Sequence, residues 1–273
     1  MSARELKKKP LIEAICEIRW ALKRVQGVPG MPEMTSTDPL FPVMTVDPHY
    51  RLLLGRLYDR LRSQYATHEP LGPAGIPDEM SGHIVQHRFR AAQNEWPLIQ
   101  MGPGVVTIND TSKYNWEDFR GRVVDVKTKL YEAHPEPQDL RIETLVLRYL
   151  DAVEFDYPSA DVFQFLSEKL KVSIALSDDL FVGTGVEQQP CHFQSQQMHR
   201  TKTPAGIFRL GFATGIHNGK PSLIWETSLS STGEDVSRMP DDFETWLDQA
   251  HTLISDWFFK MIDGDLRRRF SGE

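Results

Sequence analysis

The chain has 273 residues, of which 40% are hydrophobic, 10% aromatic and 25% charged, a composition typical of a globular protein with a sizeable core. Its net charge of −7 argues against a surface that coats nucleic acid broadly, because such domains are usually basic. The apolar runs are too short for a membrane-spanning helix. The basic N-terminus, MSARELKKKP, is not followed by the apolar segment of a signal peptide. We therefore expect a cytoplasmic protein with no membrane association.

The first predicted element is a strand from Pro10 to Trp20, with the sequence PLIEAICEIRW. Its residues alternate between two faces, as a period of two requires. One face carries Ile12, Ala14, Cys16, Ile18 and Trp20, and we expect it to be buried. The other face carries Leu11, Glu13, Ile15, Glu17 and Arg19, and mixes charge with aliphatic side chains.

The remainder of the first half predicts two helices and three strands, so that the whole half has the order β-α-β-β-α-β. The stretch from Gln26 to Val46 is rich in proline and glycine and too long for an ordinary connection, which indicates a lid or an extended arm. Asp47 and Pro48 predict an N-cap and first turn. The helix then runs to about Tyr65, and a loop covers Glu69 to Gly82. The apolar stripe of this helix consists of Tyr50, Leu53, Leu54, Leu57 and Leu61. Two strands come next: in the first, His83–Ala92 leads toward Trp96–Gln100, and the second is Val105–Asn109. Asn115 then caps a helix, and a strand follows at Arg141–Phe155. The apolar stripe of that helix consists of Trp116, Phe119, Val123, Val126 and Leu130.

The second half predicts a helix capped by Ser159, followed by antiparallel strands and a long helix. The strands are Ser173–Ala175, which is weak, His192–His199, Ile207–Ile216 and Ser222–Ser228. Asn218 and Gly219 predict a hairpin turn, because both residue types tolerate positive φ. The last helix extends from about Asp241 to Arg269, with a break proposed at Gly264.

These elements predict the α+β class: an antiparallel sheet with helices packed on one face and a long C-terminal helix. The halves, residues 1–156 and 157–273, have a similar coarse order of elements, which is compatible with a pseudo-duplicated fold. We expect them to form one compact unit, because no obvious linker separates them.

No catalytic, metal-binding or cofactor-binding motif stands out. His83 and His87 have a spacing that suits two metal ligands on a helix, but their surroundings predict a strand. The glycine pairs at Gly102 and Gly104 and at Gly183 and Gly185 lack the rest of a nucleotide-binding loop. We therefore predict no metal and no cofactor, and the sequence leaves open whether the protein is an enzyme.

The charged residues on the strands are the candidate binding residues. Glu13 and Glu17 are about 13 Å apart on one strand face, too far for an acid–base pair, and Arg19 is a plausible partner for Glu17. Arg88 and Arg90 project from one face of another strand. Glu17, Arg19, Arg148 and Tyr149 form the first group to inspect for a site that assembles only in the fold.

Four segments carry a resemblance to a known family: Pro10-Leu11 with Glu13-Ala14 and Glu17-Ile18-Arg19; Tyr114-x-Trp116-x-x-Phe119; Leu147-Arg148-Tyr149; and His251 with Phe258. Together they resemble a family of uncharacterised bacterial proteins of about this length, sporadically distributed among species. In that family an asparagine often follows the Arg-Tyr pair, whereas this chain has Leu150 and Asp151 there. The resemblance implies no reaction, but the patchy distribution is compatible with a mobile defence or toxin–antitoxin locus.

Three functional hypotheses follow. The leading one is a non-catalytic interaction or regulatory subunit that binds another bacterial protein. The second is a nucleic-acid-binding module that uses Arg88 and Arg90 together with the basic runs Lys7 to Lys9 and Arg267 to Arg269. The third is an enzyme or small-ligand binder whose polar residues converge only in three dimensions. The sequence does not indicate an oligomeric state.

Overall fold

The computed structural model describes residues 6–24, 44–111, 113–157 and 159–273. Within these ranges the chain forms eleven strands and five α-helices. The strands are β1 (Leu11–Trp20), β2 (Lys23–Arg24), β3 (Thr45–Val46), β4 (Thr67–Pro70), β5 (His87–Arg90), β6 (Leu98–Gly102), β7 (Val105–Asp110), β8 (Ile142–Glu154), β9 (Gln194–Lys202), β10 (Ala205–His217) and β11 (Lys220–Thr232). The helices are α1 (Tyr50–Leu61), α2 (Trp116–Ala133), α3 (Val162–Leu170), α4 (Phe243–Met261) and α5 (Asp265–Ser271).

Nine of the described strands form a large antiparallel sheet in the order β4-β5-β6-β7-β1-β8-β11-β10-β9, and β2 and β3 form a small separate pair. The predicted α+β class, with a large antiparallel sheet and a C-terminal helix, is confirmed. The chain divides into two compact units. Unit 1 contains residues up to Ala14, Leu147–Ser230 and Thr245–Glu273, and unit 2 contains Ile15–Val146 and Ser231–Glu244.

Unit 2 is built around the buried face of β1 and the buried strand β7. Cys16, Ile18 and Trp20 are at most 2% exposed, as the strand alternation predicted, and every residue of β7 is buried. Helix α2 contacts both α1 and β7. The stripe predicted for α1 is confirmed at its four buried residues, Tyr50, Leu53, Leu57 and Leu61. Helix α2 buries Phe119, Val123, Val126 and Leu130, also as predicted.

Unit 1 contains β9, β10, α3 and α5 together with most of β11 and α4. Asn218 and Gly219 adopt φ values of 51° and 76° between β10 and β11, so the predicted hairpin turn is confirmed. The long C-terminal helix is also interrupted where the sequence indicated. Helix α4 ends at Met261, Gly264 takes a φ of 135°, and α5 starts at Asp265.

The predicted helix N-caps have mixed outcomes. Asn115 caps α2, and its side chain accepts hydrogen bonds from the backbone N–H groups of Glu117 and Asp118. The prediction for α3 is wrong, because Asp161, not Ser159, accepts the bonds from the first turn. The prediction for α1 is also wrong, because its N-cap position is His49 without a side-chain cap.

Asp47 instead holds together three separate parts of unit 2. Its Oδ2 accepts hydrogen bonds from Trp20 Nε1 at 2.9 Å and from the backbone N–H of Gly104 at 3.2 Å. Its Oδ1 accepts from the backbone N–H of His49 at 3.0 Å. This carboxylate is 5% exposed, so it satisfies buried donors that would otherwise be left without an acceptor.

Some strand predictions differ from the structure. The segment Ser173–Ala175 is not a strand, and the strand predicted over His83–Ala92 is confined to β5. Strands β2, β3 and β4 were not predicted. Most of the stretch from Gln26 to Val46, interpreted as a lid or arm, lies outside the described residues.

Candidate functional site

The charged residues singled out on β1 have local partners. Arg19 Nε lies 2.7 Å from Glu17 Oε1, so the predicted partnership between these two residues is confirmed. Glu13 is half-buried on the same strand. Glu17 and Arg19 belong to unit 2, whereas Glu13 belongs to unit 1.

Arg88 and Arg90 of β5 converge on one carboxylate. Glu69 Oε2 lies 3.7 Å from Arg88 Nη1 and 3.6 Å from Arg90 Nε. The guanidinium of Arg90 also lies over the ring of Trp96, 5.8 Å from its centroid, and the residue is only 8% exposed. Because Arg90 is buried and Arg88 is half-buried, the pair offers little exposed positive charge to a phosphate group.

Arg148 and Tyr149 are neighbours on β8 and contact different elements of unit 1. Arg148 Nε lies 3.4 Å from Glu226 Oε1 on β11. Tyr149 Oη lies 3.0 Å from His251 Nδ1 on α4. Because successive strand residues point to opposite faces, these two side chains are not presented to one ligand side by side.

Strand β9 is the most exposed regular element of unit 1. It lies at the end of the sheet order and pairs with β10 along nine residues. None of its residues is buried, and all except the half-buried Ser195 and Thr201 are exposed. In the described part of the chain no strand lies beyond it. Its outward N–H and C=O groups therefore offer a template for another strand.

The two edge strands of the sheet differ in how well they are protected against pairing with another strand. The opposite end is β4, which is four residues long and finishes at Pro70. Short edge strands and proline both discourage further pairing. Strand β9 has nine residues, contains no proline, and carries Met198 near its centre with a 55% exposed side chain. Only His199, Arg200 and Lys202 supply charge or titratable groups.

The segment before β9 exposes an unusual number of apolar side chains. Leu176, Leu180, Val182 and Val186 are each more than half exposed. The segment has local order: the backbone N–H of Thr184 donates to the C=O of Phe181, and that of Val186 donates to Thr184 Oγ1. We call β9 together with residues 176–186 the edge surface.

Both ends of this segment are anchored in unit 1. At its start, the backbone N–H of Val172 donates to the C=O of Leu166 in α3. At its end, Phe193 and Thr214 of β10 exchange hydrogen bonds, with the N–H of each at 3.0 Å from an oxygen of the other. The apolar side chains are therefore presented by a tethered segment that leads directly into the edge strand.

One side of β9 is covered by an aromatic contact. The His199 ring lies 6.2 Å from the ring of Trp257 on α4, and Trp257 lies 4.7 Å from Phe208 on β10. Trp257 remains 40% exposed. Helix α4 therefore presents an exposed aromatic edge beside β9.

The predicted candidate residues do not include the edge surface. Its sequence signal is weak: β9 is polar and lacks alternation, and residues 171–192 were given only one short strand. The signal available in the sequence was a run of aliphatic residues spaced among polar ones, directly before a polar strand.

No protein-family model matches the chain, and no curated protein or solved structure is significantly similar to it. Among the residues described, no helix is long and apolar enough to cross a membrane. Within the same ranges, no three histidine, cysteine, aspartate or glutamate side chains are grouped to hold one metal ion.

Proposed function

We propose that the protein is a non-catalytic interaction subunit that binds another protein through its edge surface. The observation that carries the proposal is the nine-residue exposed edge strand β9. An extended segment of a partner can pair with such an edge, gaining affinity from main-chain hydrogen bonds and specificity from side chains on alternate positions.

The side chains of the edge surface define the chemistry of the partner. Arg200 and Lys202 are exposed and favour acidic side chains opposite the C-terminal end of β9. Met198 and the exposed aliphatics from Leu176 to Val186 favour apolar ones nearby. The partner is therefore an extended segment with aliphatic residues followed or preceded by carboxylates. Its setting in a mobile bacterial locus rests on the family resemblance and stays a prediction.

The test compares three tagged proteins isolated from the host and analysed by native mass spectrometry at low and high salt. The wild type is compared with an edge variant, Gln196→Lys with Met198→Lys, which adds the charges that discourage strand pairing. The control is Ile216→Lys on β10, whose side chain is 60% exposed. All three should unfold at similar urea concentrations, because the substituted positions are exposed.

We expect the wild type and the control to retain one stoichiometric partner at high salt, and the edge variant to lose it. Rebinding of the purified partner should slow hydrogen exchange in β9. A partner retained equally by the edge variant would overturn the proposal. A self-associated wild type that becomes monomeric in the edge variant would show that a second copy occupies the edge, which also contradicts it.

A further inference from the structure

The two basic runs at opposite ends of the sequence lie together in unit 1. The backbone N–H of Lys8 donates to the C=O of Phe270 at 2.9 Å. A Cβ built on Gly272 would lie 3.3 Å from Cδ of Lys7. The six basic residues of these runs are all exposed, and we call them the terminal basic patch: Lys7, Lys8, Lys9, Arg267, Arg268 and Arg269.

Two further lysines join this region through shared carboxylates. Asp263 lies 3.5 Å from Lys171 Nζ and 3.4 Å from Arg267 Nη1. Asp265 lies 2.6 Å from Lys169 Nζ and also pairs with Arg268. Each of these two carboxylates therefore pairs with two cations, so each group of three side chains has a net positive charge.

The charge balance here is opposite to that of the whole chain. Residues 7–9, 168–171 and 263–273 contain eight lysine and arginine side chains and four acidic ones, whereas the chain as a whole has a net charge of −7. Lys7, Lys8 and Arg269 have no ion pair with another described residue. Such a local excess attracts polyanions even on an acidic protein.

The ion pairs also hold two of the arginines in place. Arg267 and Arg268 line an open depression together with Gly264, Ser271 and the two acidic residues Asp263 and Glu273. Arg267 additionally lies over the ring of Phe259, 5.9 Å from its centroid. A guanidinium that is already oriented loses less entropy when it binds a phosphate, for which its donors are well matched.

We infer that the terminal basic patch binds the phosphate backbone of a nucleic acid. A lipid surface is less well matched, because basic segments need a second, apolar anchor for stable membrane binding. The apolar residues of α5, Leu266 and Phe270, are buried at 3% and 5% exposure. Binding through phosphates alone does not depend on base sequence and is strongly salt-dependent.

The test measures fluorescence anisotropy of a labelled 20-base-pair DNA duplex and of a single-stranded RNA of the same length, between 50 and 200 mM salt. The patch variant is Lys7→Gln, Lys8→Gln and Arg269→Gln. The control is Lys23→Gln, Arg24→Gln and Lys113→Gln, three exposed residues of unit 2 that remove the same charge. Urea unfolding of all three proteins verifies that the fold is retained.

We expect the wild type to bind with a Kd of about 1–100 μM at physiological salt, as for other sequence-independent binding. The patch variant should bind at least about tenfold more weakly at 50 mM salt. For the duplex, the slope of log K against log salt should be smaller in magnitude by about 2–3 in the patch variant than in the wild type. Each lost phosphate contact removes about 0.9 from that slope. The control should stay within about twofold of the wild type.

Three results would overturn the inference. The patch variant could bind as tightly as the wild type, or the control could lose as much affinity as the patch variant. The wild type could also bind neither nucleic acid at 50 mM salt while binding phosphatidylserine vesicles through the same residues, which would make the ligand a lipid headgroup. None of these results bears on the edge surface, which the patch variant leaves unchanged.

Discussion

Tyr149 Oη lies 3.0 Å from His251 Nδ1, which joins strand β8 to helix α4 within unit 1. Burial lowers the pKa of His251 to about 4, against a smaller opposing effect of the Asp248 carboxylate. His251 is therefore neutral at pH 7, and the contact is a hydrogen bond between two neutral groups. Its net contribution to stability is expected to be about 1 kcal/mol.

The lowered pKa of His251 predicts a loss of stability as the pH falls. In the unfolded chain a histidine has a pKa near 6.5, so between pH 6.5 and 4 the unfolded state binds more protons than the folded state. From pH 7 to pH 5 this costs the wild type about 2 kcal/mol of unfolding free energy. We expect His251→Gln to be less stable than the wild type at pH 7 and equal or more stable at pH 5, measured by urea unfolding.

Tyr149→Phe separates the hydrogen bond from the titration. It removes the hydroxyl but leaves His251 buried, and burial is the main cause of the lowered pKa. We expect a loss of about 1 kcal/mol that does not change between pH 7 and pH 5. A deficit in His251→Gln that is likewise independent of pH would contradict the assignment.

Asp151 lies on β8, as Tyr149 does, and it predicts the opposite pH dependence of stability. It is 3% exposed, and burial raises its pKa to about 8, so the folded state keeps the proton that the unfolded state releases near pH 4. Its contribution is therefore lost as the pH rises from about 4 towards 8.

We expect Asp151→Asn to be more stable than the wild type, by an amount that grows on the order of 2 kcal/mol between pH 5 and pH 7. Urea unfolding of both proteins at pH 5 and pH 7 measures this difference in stability. The control, Glu154→Gln, alters an exposed carboxylate of β8 that pairs with Lys220 and should stay within about 0.5 kcal/mol of the wild type. A pH-independent effect of Asp151→Asn would show that this carboxyl does not hold its proton.

Asp47→Ala should be among the more destabilising single changes in unit 2. It leaves three donors without their acceptor: the indole N–H of Trp20 and the backbone N–H groups of His49 and Gly104. We expect a loss of about 2–4 kcal/mol in unfolding free energy. The control is Asp59→Ala, which breaks a surface pair with Arg62 and should cost less than about 0.5 kcal/mol. Equal losses in the two variants would rule out this role for Asp47.

Elements with strong local signals were predictable from the sequence. The alternation of β1, the stripe of α1, the Asn115 cap and the turn at Asn218 all depend on neighbouring residues. Asp47 shows where such signals fail. The Asp-Pro pair is typical of a helix start, but the carboxylate bonds to Trp20, 27 residues earlier. Strand β4 is short and polar and ends at a proline, so no periodicity marks it.

The candidate binding surfaces depend on long-range contacts and were predicted less well. The two basic runs were each visible in the sequence, but only the contact between Lys8 and Phe270 brings them together. Strand β9 was predicted approximately, while its place at the end of the sheet was not, because strand order is not encoded in local periodicity. The pairing of Arg88 and Arg90 with Glu69 was likewise invisible from sequence spacing.

Replacing Gly102 or Gly121 by alanine is expected to change the unfolding free energy in opposite directions. A Cβ on Gly102 would lie 1.8 Å from the backbone oxygen of Ile84. That backbone cannot easily move away, because the N–H of Gln86 bonds to the C=O of Met101 at 2.9 Å. A Cβ on Gly121, exposed in the middle of α2, would meet nothing within 4 Å.

We expect Gly102→Ala to lose at least about 3 kcal/mol of unfolding free energy or to prevent folding. Gly121→Ala should gain about 0.5–1 kcal/mol, because alanine restricts the unfolded chain and favours the helix. Urea unfolding of both variants measures the two changes, and circular dichroism reports whether Gly102→Ala folds. Unchanged stability in Gly102→Ala would mean that β6 and the segment at Ile84 are not held as closely as the structure shows. A loss in Gly121→Ala would place another group against that face of α2.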